Sequence, residues 1–389
     1  MSNFIPFFKP DISEEESELL IDVLKSGIIS KGPKVFEFQD KISEFIGNSN
    51  MILTNSCTSA LFLALKTLGI GKGDEVIVPS FTFCSTVNII EHLEATPVFV
   101  DINYDTFLLD EDDVKRKLSN KTKAIIIVHF AGYVADINNY KSIVADYENK
   151  IYLVEDAAHA FGSMYGDSKI GNHTDATCFS FYATKNITTG EGGALLLKNR
   201  KLLEKAEKLA WHGINKDLWD RYSNKSEWKY DVEYPGYKFN MSDLNAALGL
   251  GQMTKVNEME NKRKDIAHKY NQEFKKIKNY VELPILENDY SENSYHLYVI
   301  KIKGGEALRD KFISYMKDNN IGVSVHFIPN HMQSYYKHKY NFKLINTEKV
   351  YNEIVSLPMY SSLSEDNISY IISTVLEFFY GEKKEGYYE

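Results

Sequence analysis

Lys185 lies between an apolar run and a glycine-rich turn, within the sequence FSFYATKNITTGEGG at positions 179–193. Upstream, the apolar run at 151–154 leads directly into Glu155 and Asp156. A lysine amine can form an imine with an aldehyde, and a buried carboxylate can keep a pyridine nitrogen protonated so that the ring accepts electrons. These residues therefore have the chemistry that pyridoxal phosphate requires of a protein.

Taken singly, the two residues have ordinary interpretations. A lysine near the end of a strand is usually a solvated surface residue, and an aspartate after a strand is often a turn or helix-cap residue. The functional interpretation is favoured because the carboxylate at the end of a buried strand and the lysine before a Gly-rich turn occur together, in this order. We therefore predict that Lys185 and Asp156 are catalytic residues.

The chain resembles the sugar aminotransferases of the DegT/DnrJ/EryC1/StrS family. The resemblance rests on both motifs and on segments spread along nearly the whole chain: FIPF at 4–7, SGIISKGPK at 26–34, NSCTSAL at 55–61, PSFTF at 79–83 and PGYKFNM at 235–241. Within the family, GYK at 236–238 and WHG at 211–213 are most similar to the enzymes that make UDP-4-amino-4-deoxy-L-arabinose.

The resemblance implies the α/β fold called PLP fold type I, which is aspartate aminotransferase-like. We expect an N-terminal arm and a large PLP-binding domain with a mostly parallel sheet over 1–255, and a small α+β C-terminal domain over 256–389. The residue pattern agrees, because short apolar runs alternate with helical stretches between about 50 and 200. It predicts strands at 75–78, 96–100, 124–128, 151–154, 178–181 and 194–197, and helices at 58–68, 85–93 and 137–147.

Beyond this region, the charge-rich stretch 242–278 has apolar residues at helical spacing. It predicts a long helical segment leading to the C-terminal domain. That domain mixes predicted strands at 295–302 and 322–327 with predicted helices at 306–319 and 364–379.

Thr58 and Ser59 stand at the start of a predicted helix, where free N–H groups and the helix dipole favour a phosphate. An ordinary N-cap is the alternative. The resemblance assigns both residues to the cofactor phosphate, with Ser180 as a third donor. It places Phe83 against the face of the pyridine ring, where stacking suits a flat ligand, although a core position is the common fate of a phenylalanine.

Asp156 and His159 are three residues apart, and a helical turn after the strand would face both side chains the same way. The resemblance implies that Asp156 contacts the pyridinium nitrogen and that His159 contacts the phenolic oxygen of the ring.

The resemblance also implies that the active sites are shared within a homodimer. Lys238 occupies a position where many relatives have Asn and reach the phosphate in the other subunit's site, and Asn240 is a second candidate for that contact. The substrate sugar is expected near Ser30, Lys31, His326 and His331. From their spacing alone, the two histidines are equally compatible with polar surface or supporting positions, and no further ligands suggest a metal site.

The implied reaction transfers an amino group from L-glutamate, giving 2-oxoglutarate, to a ketosugar on a nucleotide diphosphate (UDP or dTDP), with C4 favoured. Lys185 would move a proton between the donor α-carbon and the cofactor. A first alternative is a dehydratase of the same family, but those relatives have His in place of Lys185. A second is a non-catalytic PLP-binding regulator, which would need an attached DNA-binding module.

The net charge of the 389 residues is -9, which argues against general nucleic-acid binding. Three widely spaced cysteines predict reduced packing residues instead of disulfides. The sequence has no long apolar run and no basic leader, so we expect a cytoplasmic protein without a membrane segment.

Overall fold

The computed structural model describes residues 4–215 and 229–384. The strands of these residues are β1 (Met51–Thr54), β2 (Glu75–Pro79), β3 (Thr96–Val100), β4 (Thr122–Val128), β5 (Tyr152–Asp156), β6 (Met164–Tyr165), β7 (Ser168–Lys169), β8 (Ala176–Ser180), β9 (Gly193–Leu197), β10 (Val281–Glu282), β11 (Ser291–Glu292), β12 (Tyr298–Ile302) and β13 (Ile354–Leu357).

The α-helices of the same residues are α1 (Glu14–Ser26), α2 (Pro33–Ile46), α3 (Cys57–Leu68), α4 (Cys84–His92), α5 (Glu111–Lys117), α6 (Ile137–Ala145), α7 (Arg200–Ala210), α8 (Asp243–Thr254), α9 (Val256–Phe274), α10 (Gly305–Asp318), α11 (Ser334–Lys339), α12 (Ile345–Glu353) and α13 (Glu365–Lys384). None of them is long and apolar enough to cross a membrane.

A seven-stranded sheet with the order β1-β9-β8-β5-β4-β2-β3 forms the centre of the fold. The pairs from β8 through β3 are parallel, whereas β9 is antiparallel to both of its neighbours, β1 and β8. Six strands therefore run in one direction and β9 runs against them. This is the mostly parallel sheet that the alternating pattern predicts, and parallel strands bring their carboxyl ends to one edge.

Both faces of this sheet are covered, as the alternation of side chains along β9 shows. Leu195 and Leu197 pack in a core with residues of α3, α4 and α7. Ala194 and Leu196 face the other way and pack with residues of α2 and α8. Because both faces are buried, the strands are continuous apolar runs without polar alternation.

The residues that follow α9 form a second layer of the structure, which we call the C-terminal layer. The strands β10, β12 and β13 form a three-stranded sheet, and its core includes residues of α9, α10 and α13 together with Ile5 from the N-terminal arm. α8 ends at Thr254 and α9 begins at Val256, while the division into two domains near this point stays a prediction.

The predicted strand at 322–327 was wrong, because these residues form no strand and make one isolated bridge, from Ser324 to Ser356. Residues 51–54 form β1, a four-residue strand for which the sequence analysis makes no prediction. After Asp156 the chain makes tight turns, so the helical turn that would face Asp156 and His159 the same way is not formed. The three cysteines are free, as expected.

Candidate active site

A cavity of about 590 Å³ opens at the carboxyl ends of the parallel strands. Its lining begins with Phe7 and Phe8 of the N-terminal arm and ends with Met359 of the C-terminal layer. Seven of the predicted site residues lie on its wall: Thr58, Phe83, Asp156, His159, Ser180, Lys185 and His326. The fold thus brings together groups that are far apart in the chain.

Asp156 is the last residue of β5 and is 5% exposed. Thr86 Oγ1 donates a hydrogen bond to its Oδ2 at 2.7 Å, and the Ala158 N–H donates to its Oδ1 at 3.2 Å. Burial raises the pKa of this carboxyl, and the two hydrogen bonds oppose that shift only in part. A cationic N–H group facing Asp156 would therefore be strongly stabilised.

Lys185 lies in the turn after β8, and its N–H donates to the carbonyl of Tyr182 at 2.9 Å. The turn is closed by Phe181, whose N–H donates to Gly192 O and whose carbonyl accepts from Thr189 N–H. The side chain is half-buried and lines the cavity. Burial lowers the pKa of Lys185 from 10.5 to about 8, although nearby Asp156 and Cys57 act in the opposite direction.

The N-terminus of α3 lies on the same wall. Ser56 caps the helix, because its Oγ accepts from the Ser59 N–H at 3.1 Å. The Ser59 hydroxyl donates to Asn55 Oδ1 at 2.7 Å and does not reach the cavity, whereas Thr58 and Ser180 do. An anion at this point would meet Thr58 and Ser180 hydroxyls and the start of a twelve-residue helix.

Aromatic residues surround the mouth of the cavity. Phe83 is 57% exposed and lies 5.9 Å from Phe327 between ring centroids. Tyr182 is also exposed and lines the opening. Large exposed aromatic side chains at a cavity mouth are available to pack against a flat ligand.

The remaining predicted residues lie outside this cavity, and four of them lie together. The carboxylate of Asp243 accepts from the N–H groups of Gly32, Lys34 and Val35, and its own N–H donates to Ser30 O. Lys238 Nζ lies 3.5 Å from the centre of the Trp211 ring and donates to Asn240 Oδ1.

Lys31 and Lys238 are close enough that Lys31 helps to lower the pKa of Lys238, although burial is the larger cause. Ser30, Lys31, Lys238 and Asn240 therefore form one basic group on the outside of the protomer. We call these four residues the outer lysine cluster.

The two predicted histidines of the C-terminal layer are in different surroundings. His326 lines the cavity, and its Nδ1 is 2.9 Å from Ser356 Oγ. His331 is 4% exposed and lies outside the cavity, with Nδ1 bonded to Ser80 Oγ and Nε2 3.3 Å from Glu348. Both ring nitrogens of His331 are therefore engaged within the protein, which suits a supporting residue, and its contact with the substrate stays a prediction.

Several residues of the site were missed by the sequence analysis. Thr86 reaches Asp156 from α4, and Cys57 lies beside Lys185 at the start of α3. His296 lies in the segment before β12, and its ring centroid is 4.3 Å from that of His159. No local motif indicates these residues, because each reaches the site across a long stretch of chain.

The arrangement fits pyridoxal phosphate on its own chemistry. A buried carboxylate that lacks a cationic partner suits a protonated ring nitrogen, and a half-buried lysine with a lowered pKa suits an aldehyde. The helix start with two hydroxyls suits a phosphate. In the described residues no cluster of metal ligands competes with this interpretation.

Comparison with known proteins agrees with this chemistry. Residues 10–376 match the model of the DegT/DnrJ/EryC1/StrS aminotransferase family. The chain belongs to this family, and it is a PLP-dependent sugar aminotransferase with fold type I.

Among curated proteins, the spore coat polysaccharide biosynthesis protein SpsC of Bacillus subtilis is 41% identical over 386 residues, which is 98% of each chain. Among solved structures, the sugar aminotransferase Spr1654 of Streptococcus pneumoniae in its PMP form has a TM-score of 0.91 at 34% identity, covering 97% of this chain and 99% of that one. Helicobacter pylori PseC, an aminotransferase of pseudoaminic acid biosynthesis, has a TM-score of 0.90 at 27% identity, covering 97% and 100%.

Proposed function

We propose that the enzyme transfers an amino group from L-glutamate to the C4 keto group of a nucleotide-diphosphate sugar, with UDP favoured over dTDP. The observation that carries the proposal is the placement of Lys185 and Asp156 on one cavity wall. The names of SpsC and PseC, which refer to polysaccharide and amino-sugar biosynthesis, support a sugar acceptor.

The protein holds the cofactor at four points in this proposal. Thr58 and Ser180, with the N-terminus of α3, bind the phosphate, and Asp156 faces the ring nitrogen. Phe83 covers one face of the ring, and His159 donates to its phenolic oxygen. When bound, the cofactor supplies the aldehyde that carries the amino group and a ring that accepts electrons from the reacting carbon.

Lys185 is the general base and acid. Its pKa of about 8 leaves a useful fraction of neutral amine near neutral pH. Nζ can therefore take a proton from the α-carbon of glutamate and pass it to the cofactor. The same atom moves the proton in the opposite direction when the sugar is the substrate. Asp156 stabilises the positive ring nitrogen throughout, in a buried site where a charge pair is effective.

The nucleotide of the substrate carries negative charge. The cavity wall does little to offset it, since the Lys, Arg, Asp and Glu residues on the wall in the described part of the chain are Lys185, Asp156 and Glu191. We propose that the partner protomer's copy of the outer lysine cluster supplies the missing positive charge. This arrangement would make a homodimer with shared sites the working unit.

A panel of 4-keto and 3-keto sugars on UDP and dTDP, each with glutamate, tests the proposal. Mass spectrometry separates amination from loss of water, so the dehydratase alternative gives a different product from the same assay. We expect a 4-amino sugar and 2-oxoglutarate in equal amounts. Lys185→Ala is the control, and an active Lys185→Ala variant or a dehydrated product would overturn the proposal.

A further inference from the structure

Two histidine rings form the cavity wall beside Lys185. The centroids of His159 and His296 are 4.3 Å apart, with 36° between the ring planes. Both side chains are buried and both line the cavity. In each case Nδ1 is bonded to protein, whereas Nε2 has no protein hydrogen bond within the described part of the chain.

The proton of His159 is fixed by a backbone group. The Ala131 N–H lies 3.2 Å from His159 Nδ1, and an N–H can only donate. His159 Nδ1 is therefore unprotonated, and the neutral ring carries its proton on Nε2. His159 presents a hydrogen-bond donor to the cavity.

The proton of His296 is fixed in the opposite way by Asn186, the residue next to Lys185. Asn186 Nδ2 lies 2.8 Å from Ser294 O, and a carbonyl can only accept, so the amide oxygen faces His296 Nδ1 at 2.9 Å. His296 therefore carries its proton on Nδ1, and its Nε2 is unprotonated. His296 presents a hydrogen-bond acceptor to the cavity.

The surroundings keep His296 uncharged. Burial is the largest cause that lowers its pKa, and the charged or titratable groups facing it (His159, Lys185, Arg263 and His326) all act in the same direction. The partner at Nδ1 is a neutral amide, which does not attract a second proton to the ring.

We propose that Asn186 and His296 are positioning residues that keep an uncharged acceptor beside the donor of His159, next to Lys185. A ligand atom held against both Nε2 atoms meets one donor and one acceptor, which is the pattern that a hydroxyl group satisfies. That hydroxyl can belong to the cofactor ring or to the sugar. The inference rests on the proposed function only for the second of these sources.

Asn186→Asp tests the proposal with almost no change in shape. A carboxylate at this point attracts a second proton to His296, raises its pKa, and turns the acceptor at Nε2 into a donor below that pKa. Because the acceptor returns above the raised pKa, the activity of the variant relative to the wild type should recover at least tenfold as the pH rises through it.

Asn330→Asp is the matched control. Asn330 is 1% exposed, and its Nδ2 donates to the carbonyls of Ser80 and Thr82, but no histidine contacts its Oδ1. This variant loses the same kind of amide donor as Asn186→Asp, but its new carboxyl does not contact an imidazole. Its activity relative to the wild type should fall as the pH rises, because its buried carboxyl ionises.

Two substitutions at His296 separate the acceptor from the contact to Asn186. His296→Gln can place an amide oxygen near the position of Nε2, whereas His296→Asn can keep a donor to Asn186 but has no atom at Nε2. We expect the Gln variant to retain at least several-fold more turnover than the Asn variant. The reverse order would mean that His296 only supports the turn around Lys185.

The tautomers can be read without turnover. Holoenzyme labelled with ¹⁵N-histidine should show one ring protonated at Nε2 that disappears in His159→Gln, and one ring protonated at Nδ1 that disappears in His296→Gln. The latter should take up its second proton at a higher pH in Asn186→Asp than in the wild type. A wild-type His296 with its proton on Nε2 overturns the proposal even if the sugar reaction is confirmed, whereas the predicted tautomers stand if no sugar on the panel is aminated.

The source of the hydroxyl follows from a second titration. If the cofactor ring supplies it, the visible absorbance of Asn186→Asp holoenzyme without sugar should titrate at the raised pKa of His296. If the sugar supplies it, the absorbance should match the wild type and only turnover of the sugar should shift. No shift in either measurement contradicts the proposed hydroxyl contact.

Discussion

Asp156 is a buried carboxylate whose pKa is raised by burial, and a cationic ring nitrogen beside it would stabilise its charge. Asp156→Asn keeps the shape, but it removes the charge and one of the two oxygens that accept hydrogen bonds from Thr86 and Ala158. We expect at least a hundredfold loss of kcat, about 2.7 kcal/mol or more in the barrier. Steady-state kinetics with circular dichroism as a folding control would test this, and a rate within threefold of the wild type would remove Asp156 from the mechanism.

The lowered pKa of Lys185 makes a prediction about cofactor attachment. Only the neutral amine reacts with an aldehyde, and below a pKa of about 8 its fraction falls tenfold for each pH unit. The rate of attachment of pyridoxal phosphate to cofactor-free enzyme, followed by visible absorbance, should therefore rise steeply up to about pH 8 and then level off. A rise that continues to about pH 10 would indicate an ordinary, solvated lysine.

Borohydride reduction and peptide mapping provide the control for that experiment. The label should be found on Lys185 in the wild type. Lys185→Ala should bind the cofactor without the pH-dependent visible band, and a label on another lysine would contradict the assignment.

For single residues, the sequence predicts a role only where the adjacent residues form a recognisable motif. Lys185 and Asp156 stand out because a strand and a turn surround them. Thr86 and His296 do not, since their relevance arises only when α4 and the segment before β12 meet the end of β5. For the same reason, the sequence around His331 does not show that its ring nitrogens bond to Ser80 and Glu348, since both partners are distant in the chain.

At the scale of elements, β9 passes close to the start of α3. A Cβ on Gly193 would lie 2.6 Å from Cys57 N and from Ser56 C, which is closer than such atoms can approach. Gly193→Ala should therefore push the phosphate-binding end of α3 away from β9. We expect a loss of about 1–3 kcal/mol in stability and a weaker affinity for pyridoxal phosphate.

Thermal unfolding and cofactor titration would measure the two effects. Gly71→Ala is the matched control, because its Cβ would meet nothing closer than Leu93 O at 3.9 Å and the backbone there has no positive φ. Equal behaviour of the two variants would show that β9 and α3 are not held as tightly as the distances indicate.

The elements themselves were largely predictable, because alternating apolar runs and helices leave few topologies for a parallel sheet. The exceptions depend on partners. β1 is short and is stabilised by its pairing with β9. The residues 322–327 have strand-like composition but make only one isolated bridge, from Ser324 to Ser356 of β13. Composition alone does not show whether an extended run pairs with a neighbouring strand.

For the whole molecule, the outer lysine cluster is the feature that predicts assembly. If Lys238 and Asn240 of one protomer complete the site of the other, two inactive variants should complement each other. A Lys238→Ala/Asn240→Ala protein mixed with Lys185→Ala gives heterodimers with one intact site. After subunit exchange, activity should return to about a quarter of the wild-type value, from statistical mixing in a two-fold assembly.

A mixture of Lys185→Ala with Asp156→Asn is the control for complementation. Both residues line the same cavity of one chain, so every site in the mixed dimer contains a defect and no activity should return. Verified exchange with no recovery in the first mixture, although each parent is inactive, would show that the sites are not shared through this cluster.

The cavity has a further consequence for how the enzyme is made. Its lining extends from Phe7 to Met359. β1 can pair only when β9 has been synthesised, and the Ile5 N–H donates a hydrogen bond to the carbonyl of Asn320. Contacts of such long range form slowly, and they require the residues from Phe7 to Met359 to be present together. Pyridoxal phosphate can therefore stabilise only a chain in which these residues have met, so a shortage of the cofactor in a growing cell should affect the last step of folding and not the first.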